Sequence, residues 1–102
     1  MSNKNYRGDR TIDGSVVTVD GASLDAQLSL RTFTDRGLEW GYEGDGPRQV
    51  ALAILVEHIG DNDQALVLCE DFMLRVVANF GNEWEMSSND IDIALNNIQA
   101  NA

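Results

Sequence analysis

Residues 15–19 (SVVTV) form a run of β-branched side chains bracketed by Asp13-Gly14 and Asp20-Gly21. Those dipeptides suit tight hairpin turns with positive φ. The pattern predicts a strand there, with residues 4–11 as its antiparallel partner and Tyr6 as the aromatic of that partner. Leu24, Leu28 and Leu30 follow without a clear period, and residues 26–33 read as a further strand. Asp35-Arg36-Gly37 marks a turn, and Leu38-Glu39-Trp40 a short extended piece.

The pattern then changes to helical. Residues 41–47 (GYEGDGP) hold three glycines and the sole proline of the chain. Proline fits the first turn of a helix, where its missing N–H costs nothing. A first helix is expected from Pro47 to Ile59, with Gly46 or Asp45 near its cap and Gly60 as its stop. Residues 50–56 are apolar all the way round, so this helix should lie buried on most sides. Asp61 as N-cap with Gln64 three residues later predicts a second helix running to Asn79 or Phe80, with Gly81 as stop. At 100° per residue, Leu66, Cys69, Phe72, Met73, Val76, Val77 and Phe80 share one broad face. Val67, Leu74 and Ala78 make a smaller apolar stripe opposite, flanked by Glu70 and Asp71. Residues 82–86 alternate, with Trp84 and Met86 on one side and Glu83 and Glu85 on the other, the pattern of a half-buried strand. Ser87 with Asp90 three residues on predicts the capping box of a third helix, whose apolar stripe is Ile91, Leu95 and Ile98.

These elements describe one domain over residues 1–102, with a β region at about 4–40 and a helical region at about 47–99. The expected class is α+β, an antiparallel β-meander with three helices packed on one side. At 102 residues and 43% hydrophobic content the chain has room for one modest core. No apolar run approaches the roughly 20 residues of a membrane span, and the polar start, Met1 to Arg10, has no signal-peptide core. The expected location is cytoplasmic.

Charge sharpens the picture. The net charge is −10, and it is uneven. Residues 1–48 carry six basic and eight acidic side chains; residues 49–102 carry Arg75 against nine acids, a net −8. Nucleic-acid binding depends on Lys and Arg neutralising phosphates, and this chain has a single lysine, so direct nucleic-acid contact is not expected. An anionic membrane is disfavoured for the same reason. The partner suited to such a surface is a protein with a basic one.

Three stretches taken together resemble a known family. They are Tyr6-Arg7-Gly8 leading to residues 17–21 (VTVDG), the run GLEWGYEGDGPRQVALAIL from Gly37 to Leu55, and the later positions Phe72, Val76-Val77 and Trp84. This pattern is similar to an uncharacterised short domain, catalogued as a domain of unknown function, and covers about Tyr6 to Ile98. Asp45 departs from the small residue of the family pattern. The resemblance implies a shared fold and no activity. It also implies an origin among bacteria, archaea and their phages or plasmids, and by that association interference with host machinery such as a defence complex.

Candidate chemistry is sparse. Gly41-x-x-Gly44-x-Gly46 before a helix invites a phosphate-loop reading, but Glu43 and Asp45 would repel phosphate and no lysine follows. Trp40 and Tyr42 flank a glycine at a turn and, with Glu43 and Asp45, could form a loop for a small molecule or peptide. His58 near the end of the first helix suits the helix dipole, and Cys69 on the apolar face of the second reads as a core residue. Asp61 and Asp63 are explained by capping and lack a calcium loop. No metal, cofactor or catalytic residue is expected. The leading function is therefore a small acidic, non-enzymatic interaction protein, an inhibitor or decoy facing a basic nucleic-acid-binding protein. Its partner-binding residues would be Val67, Glu70, Asp71, Leu74, Glu83, Glu85, Asp90 and Asp92, gathered on one face. The alternative is a ligand-binding accessory domain using the Trp40–Tyr42 loop.

Overall fold

The computed structural model describes residues 3–100. The β-branched run and its partner form an antiparallel hairpin, β1 (Asn5–Thr11) with β2 (Gly14–Val19). The Asp20-Gly21 turn then leads into a two-residue strand, β3 (Ala22–Ser23). Asp20 has φ 50° and Gly21 φ 86°, the two positive values that let a two-residue loop follow the twist of its strands. The Trp84 segment is β4 (Trp84–Ser87), which adds antiparallel to the free side of β1. The sheet order is β3-β2-β1-β4. Alternation sorts its faces: Tyr6, Val17 and Trp84 are buried, while Arg7, Val16 and Glu85 are exposed. The outer face is polar, and Arg7 there joins Asp9 on its own strand and Glu85 on β4 in ion pairs of 2.9 and 3.0 Å.

Three helices cover the inner face: α1 (Asp45–Ile59), α2 (Asn62–Arg75) and α3 (Ser88–Ala100). Residues 50–55 of α1 are all 0% exposed, as an apolar surface all round requires. Gly60 ends α1 in the left-handed region at φ 75°, its N–H donating to Val56 O. The Asp61 side chain accepts from Gln64 N–H at 3.1 Å and starts α2. Ser87 Oγ accepts from Asp90 N–H at 3.1 Å, and Asp90 Oδ2 accepts from Ser87 N–H at 3.0 Å, completing the capping box of α3. The fold is an α+β domain with a four-stranded antiparallel sheet and three helices.

The structure departs from the sequence pattern in four places. Residues 26–33 form no strand. Gln27 sits at φ 61°, and the segment turns instead of extending. The buried Gln49 of α1 holds it: Nε2 donates to Ala26 O and Arg31 O, and Oε1 accepts from Phe33 N–H. Residues 38–40 also join no strand. Trp40 enters the core at 0% exposure, its indole N–H donating to Gly81 O at 2.7 Å. Helix α1 begins two residues before Pro47, because Gly44 supplies the extended cap. Helix α2 stops at Arg75, short of residue 79 or 80, and a 3-10 turn at Val77–Asn79 follows. That turn buries Val77 and lets its carbonyl accept from Gly41 N–H at 3.0 Å.

Candidate functional site

The acids expected on one face lie on several. Glu83 and Glu85 flank Trp84, whose indole points to the core, so they project from the outer sheet face beside Arg7. Asp90 is occupied in capping α3. Asp92 lies 2.6 Å from His58. Helix α2 sits in the helical layer on the other side of the sheet. The single-face cluster is therefore corrected: strand alternation turns the β4 carboxylates away from the helices.

What α2 itself presents is closer to the sequence pattern. Val67 is 77% exposed and Leu74 37%, on a face shared with Asp63, Glu70 and Asp71. Glu70 is not a free carboxylate. Arg48 of α1 donates to it from Nε and from Nη2, and these bonds hold the Glu70 carboxyl below the usual carboxylate range. Arg48 also reaches Asp45 at 2.6 Å. Asp63 and Asp71 remain exposed at the edges of the apolar pair. A groove of about 240 Å³ runs beside them, lined by Asp63, Gln64, Val67 and Leu68 of α2 and Gln99 of α3.

The Trp40–Tyr42 loop does not expose both of its aromatics. Trp40 is buried, with the Arg10 guanidinium 4.7 Å over its ring and the Trp84 ring edge-on at 5.9 Å. Tyr42 is half-exposed and folds back over the following turn. A Cβ on Gly44 would stand 2.8 Å from the Tyr42 ring, and one on Gly46 would stand 2.9 Å from its hydroxyl. Those two glycines are explained by the close approach of Tyr42 and, at Gly46, also of Glu39 Cβ at 2.8 Å, with no phosphate needed. Glu43 is exposed, and Asp45 pairs with Arg48.

A second cavity was not legible in the sequence. About 400 Å³ opens where the end of α1 meets the start of β1 and the first turns of α3. Lys4 Nζ donates to Glu57 Oε1 at 2.6 Å across one wall. His58 and Asp92 share their hydrogen bond on another, where His58 keeps only 12% of its side chain exposed. Ile59 and Leu95 supply apolar surface, and Tyr6 lines the inner end. The Tyr6 ring is fully buried, and its hydroxyl has no hydrogen-bond partner among the described residues. Burial, and then Glu57 and Asp20, push the Tyr6 phenol up to about 12, so the hydroxyl keeps its proton at neutral pH. His58 and Asp92 are 34 positions apart, a separation that no periodicity links. A histidine next to a glutamate, Glu57-His58, directly after the apolar run 50–56 was the sole local signal.

Cys69 is 3% exposed and its thiol donates to Leu66 O at 3.4 Å. Burial, more than the nearby Glu70, pushes the thiol up. Among the described residues no group of three or more His, Cys, Asp or Glu is placed to hold a metal ion, and no helix is long and apolar enough to cross a membrane.

A family model described as a family of unknown function (DUF6166) matches residues 6–97. No curated protein and no solved structure matches the chain.

Proposed function

The chain belongs to the DUF6166 family, a family of unknown function, and from that premise we propose that it is a non-enzymatic interaction module that docks a basic protein through the outer face of α2. The observation that carries this reading is Val67. It stands 77% exposed beside the α2–α3 groove, with Asp63 and Asp71 at its edges. An apolar centre gives affinity once desolvated, and a carboxylate rim steers a cationic partner toward it. The net −8 of residues 49–102 adds long-range attraction of the same sign.

In this reading the protein acts as an inhibitor or decoy. It occupies a basic surface that would otherwise meet nucleic acid, as on a host defence complex opposed by a phage or plasmid product. The decoy surface is α2 alone, since Glu83, Glu85 and Asp90 face elsewhere or are bonded. The ligand-loop alternative has no such support, because Trp40 is in the core.

The test starts with a photo-crosslinking residue at position 67 in the producing cells. The captured protein is identified and its affinity for the full chain is titrated. Asp63→Lys combined with Asp71→Lys should weaken binding at least tenfold, and more at low salt, where screening is least. The control reversal, Asp13→Lys with Asp35→Lys, should change it less than threefold. Equal losses from both pairs would reduce the attraction to bulk charge. Unchanged binding by the α2 variant, folded by circular dichroism, would remove this face from the interface.

A further inference from the structure

The 400 Å³ crevice between α1, α3 and the start of β1 lies away from the α2 face and has a chemistry of its own. The backbone N–H groups at its α3 end are already engaged, and its one lysine is paired. The first N–H groups of α3 donate to Lys4 O, to Asn3 Oδ1 and to Ser87 Oγ. The Lys4 ammonium lies on Glu57 Oε1. The acceptors are not exhausted. Glu57 uses Oε1 and Asp92 uses Oδ1, and the second oxygen of each accepts no bond among the described residues. Tyr6 lines the same crevice, and its hydroxyl is fully buried and unpartnered among the described residues, a group that ordinarily finds a partner.

The ligand head that fits surplus acceptors is a donor with positive charge. Glu57 already receives one primary ammonium, from Lys4, at 2.6 Å. Ile59, Leu95 and the Tyr6 ring offer apolar surface to whatever follows the head. We propose that this crevice binds a primary alkylammonium of short aliphatic chain, its head bonded by Glu57, Asp92 and the Tyr6 hydroxyl and its chain laid along Ile59 and Leu95. A carboxylate or phosphate would meet two carboxylates against a single ammonium, which Glu57 already holds. A neutral alcohol would leave those carboxylates solvated and gain little. The volume is in the range of small-molecule pockets.

The experiment is an amide NMR titration of the full chain with n-pentylammonium chloride, against pentanoate, 1-pentanol and potassium chloride at equal ionic strength. Pentylammonium should give saturable shifts at Tyr6, Ile59 and Leu95, and the three controls should not. Tyr6→Phe keeps the ring and should weaken binding at least fivefold; Asp92→Asn should weaken it at least tenfold. A chain series from ethyl- to heptylammonium needs no variant. Affinity should rise at least tenfold along it and level off as the cavity fills, since each further methylene buries more apolar surface. Shifts that do not saturate, that spread over the acidic surface, or that ignore chain length would overturn the proposal. So would wild-type affinity in Tyr6→Phe, or equal binding of pentanoate.

Discussion

Gly8 and Trp84 are direct partners across the β1–β4 pair, and the indole lies so close that a Cβ on Gly8 would stand 2.0 Å from Trp84 Nε1. The indole is also stacked on Phe80 at 4.2 Å and 15°, so it has little freedom to retreat. Gly8→Ala should destabilise the protein by about 3 kcal/mol, the upper end of what overpacking costs. Urea unfolding followed by tryptophan fluorescence measures this. A loss under about 0.5 kcal/mol would mean that the indole moves aside freely.

Gln49 is 1% exposed and binds the backbone of residues 26–34 through both ends of its amide. Gln49→Leu keeps most of the volume but removes every one of those bonds. The expected loss is roughly 2–4 kcal/mol, because each buried polar group left unpaired costs about 1–3 kcal/mol. Hydrogen exchange should accelerate first at Phe33 and Thr34. Unchanged protection there would show that the loop holds itself.

Acid should weaken the fold through Glu39 and Glu70. Burial alone would raise the Glu39 carboxyl, but hydrogen bonds from Arg10 and Ser15 outweigh it and hold it below its ordinary 4.5; Arg48 does the same for Glu70. A carboxyl lowered in the folded state stabilises above its unfolded value and loses that contribution as pH falls through the folded one. Melting temperature should therefore drop as pH falls below about 4.5. Arg48→Met with Arg10→Met should flatten that drop; an equally steep profile in the double variant would place the sensitivity elsewhere.

At the alkaline end Tyr6 dominates. Its phenol is raised from 10.0 to about 12 in the folded state, so its contribution is complete below pH 10 and is lost as pH rises toward 12. Absorbance at the tyrosinate wavelength should show a late-titrating component that disappears in Tyr6→Phe. Its persistence in that variant would refute the assignment.

Cys69 should be silent toward a thiol reagent. It is buried, and burial keeps it protonated. Ellman's reagent should react with less than a tenth of the native protein in an hour and fully in denaturant. Rapid native reaction would expose α2 as far looser than its packing implies.

Features set by neighbouring residues were legible in the sequence. The Asp20-Gly21 turn, the Gly60 stop, the Asp61 cap and the Ser87–Asp90 box all depend on partners within a few positions, and each is present. What escaped the sequence is non-local. Nothing in residues 26–33 announces that Gln49 will claim their backbone, although a polar residue heading an all-apolar run was a usable hint. The early end of α2 follows from Val77 turning inward to meet Gly41. The candidate sites divide in the same way. Helical spacing placed Val67, Leu74 and Asp71 on one face correctly, but it could not foresee Arg48 on Glu70 or Asp92 on His58.

The place of β1, between β2 and β4, sets an order of events during synthesis. The first hairpin is available once residues 5–19 have emerged, but its other edge stays unpaired until residues 84–87 leave the ribosome. Tyr6 and Gly8 await Trp84, which follows more than seventy residues later. Until then that edge is bare, and a bare strand edge templates aggregation. A nonsense codon between positions 24 and 84 would release not a smaller domain but a half-built sheet, a natural target for proteolysis.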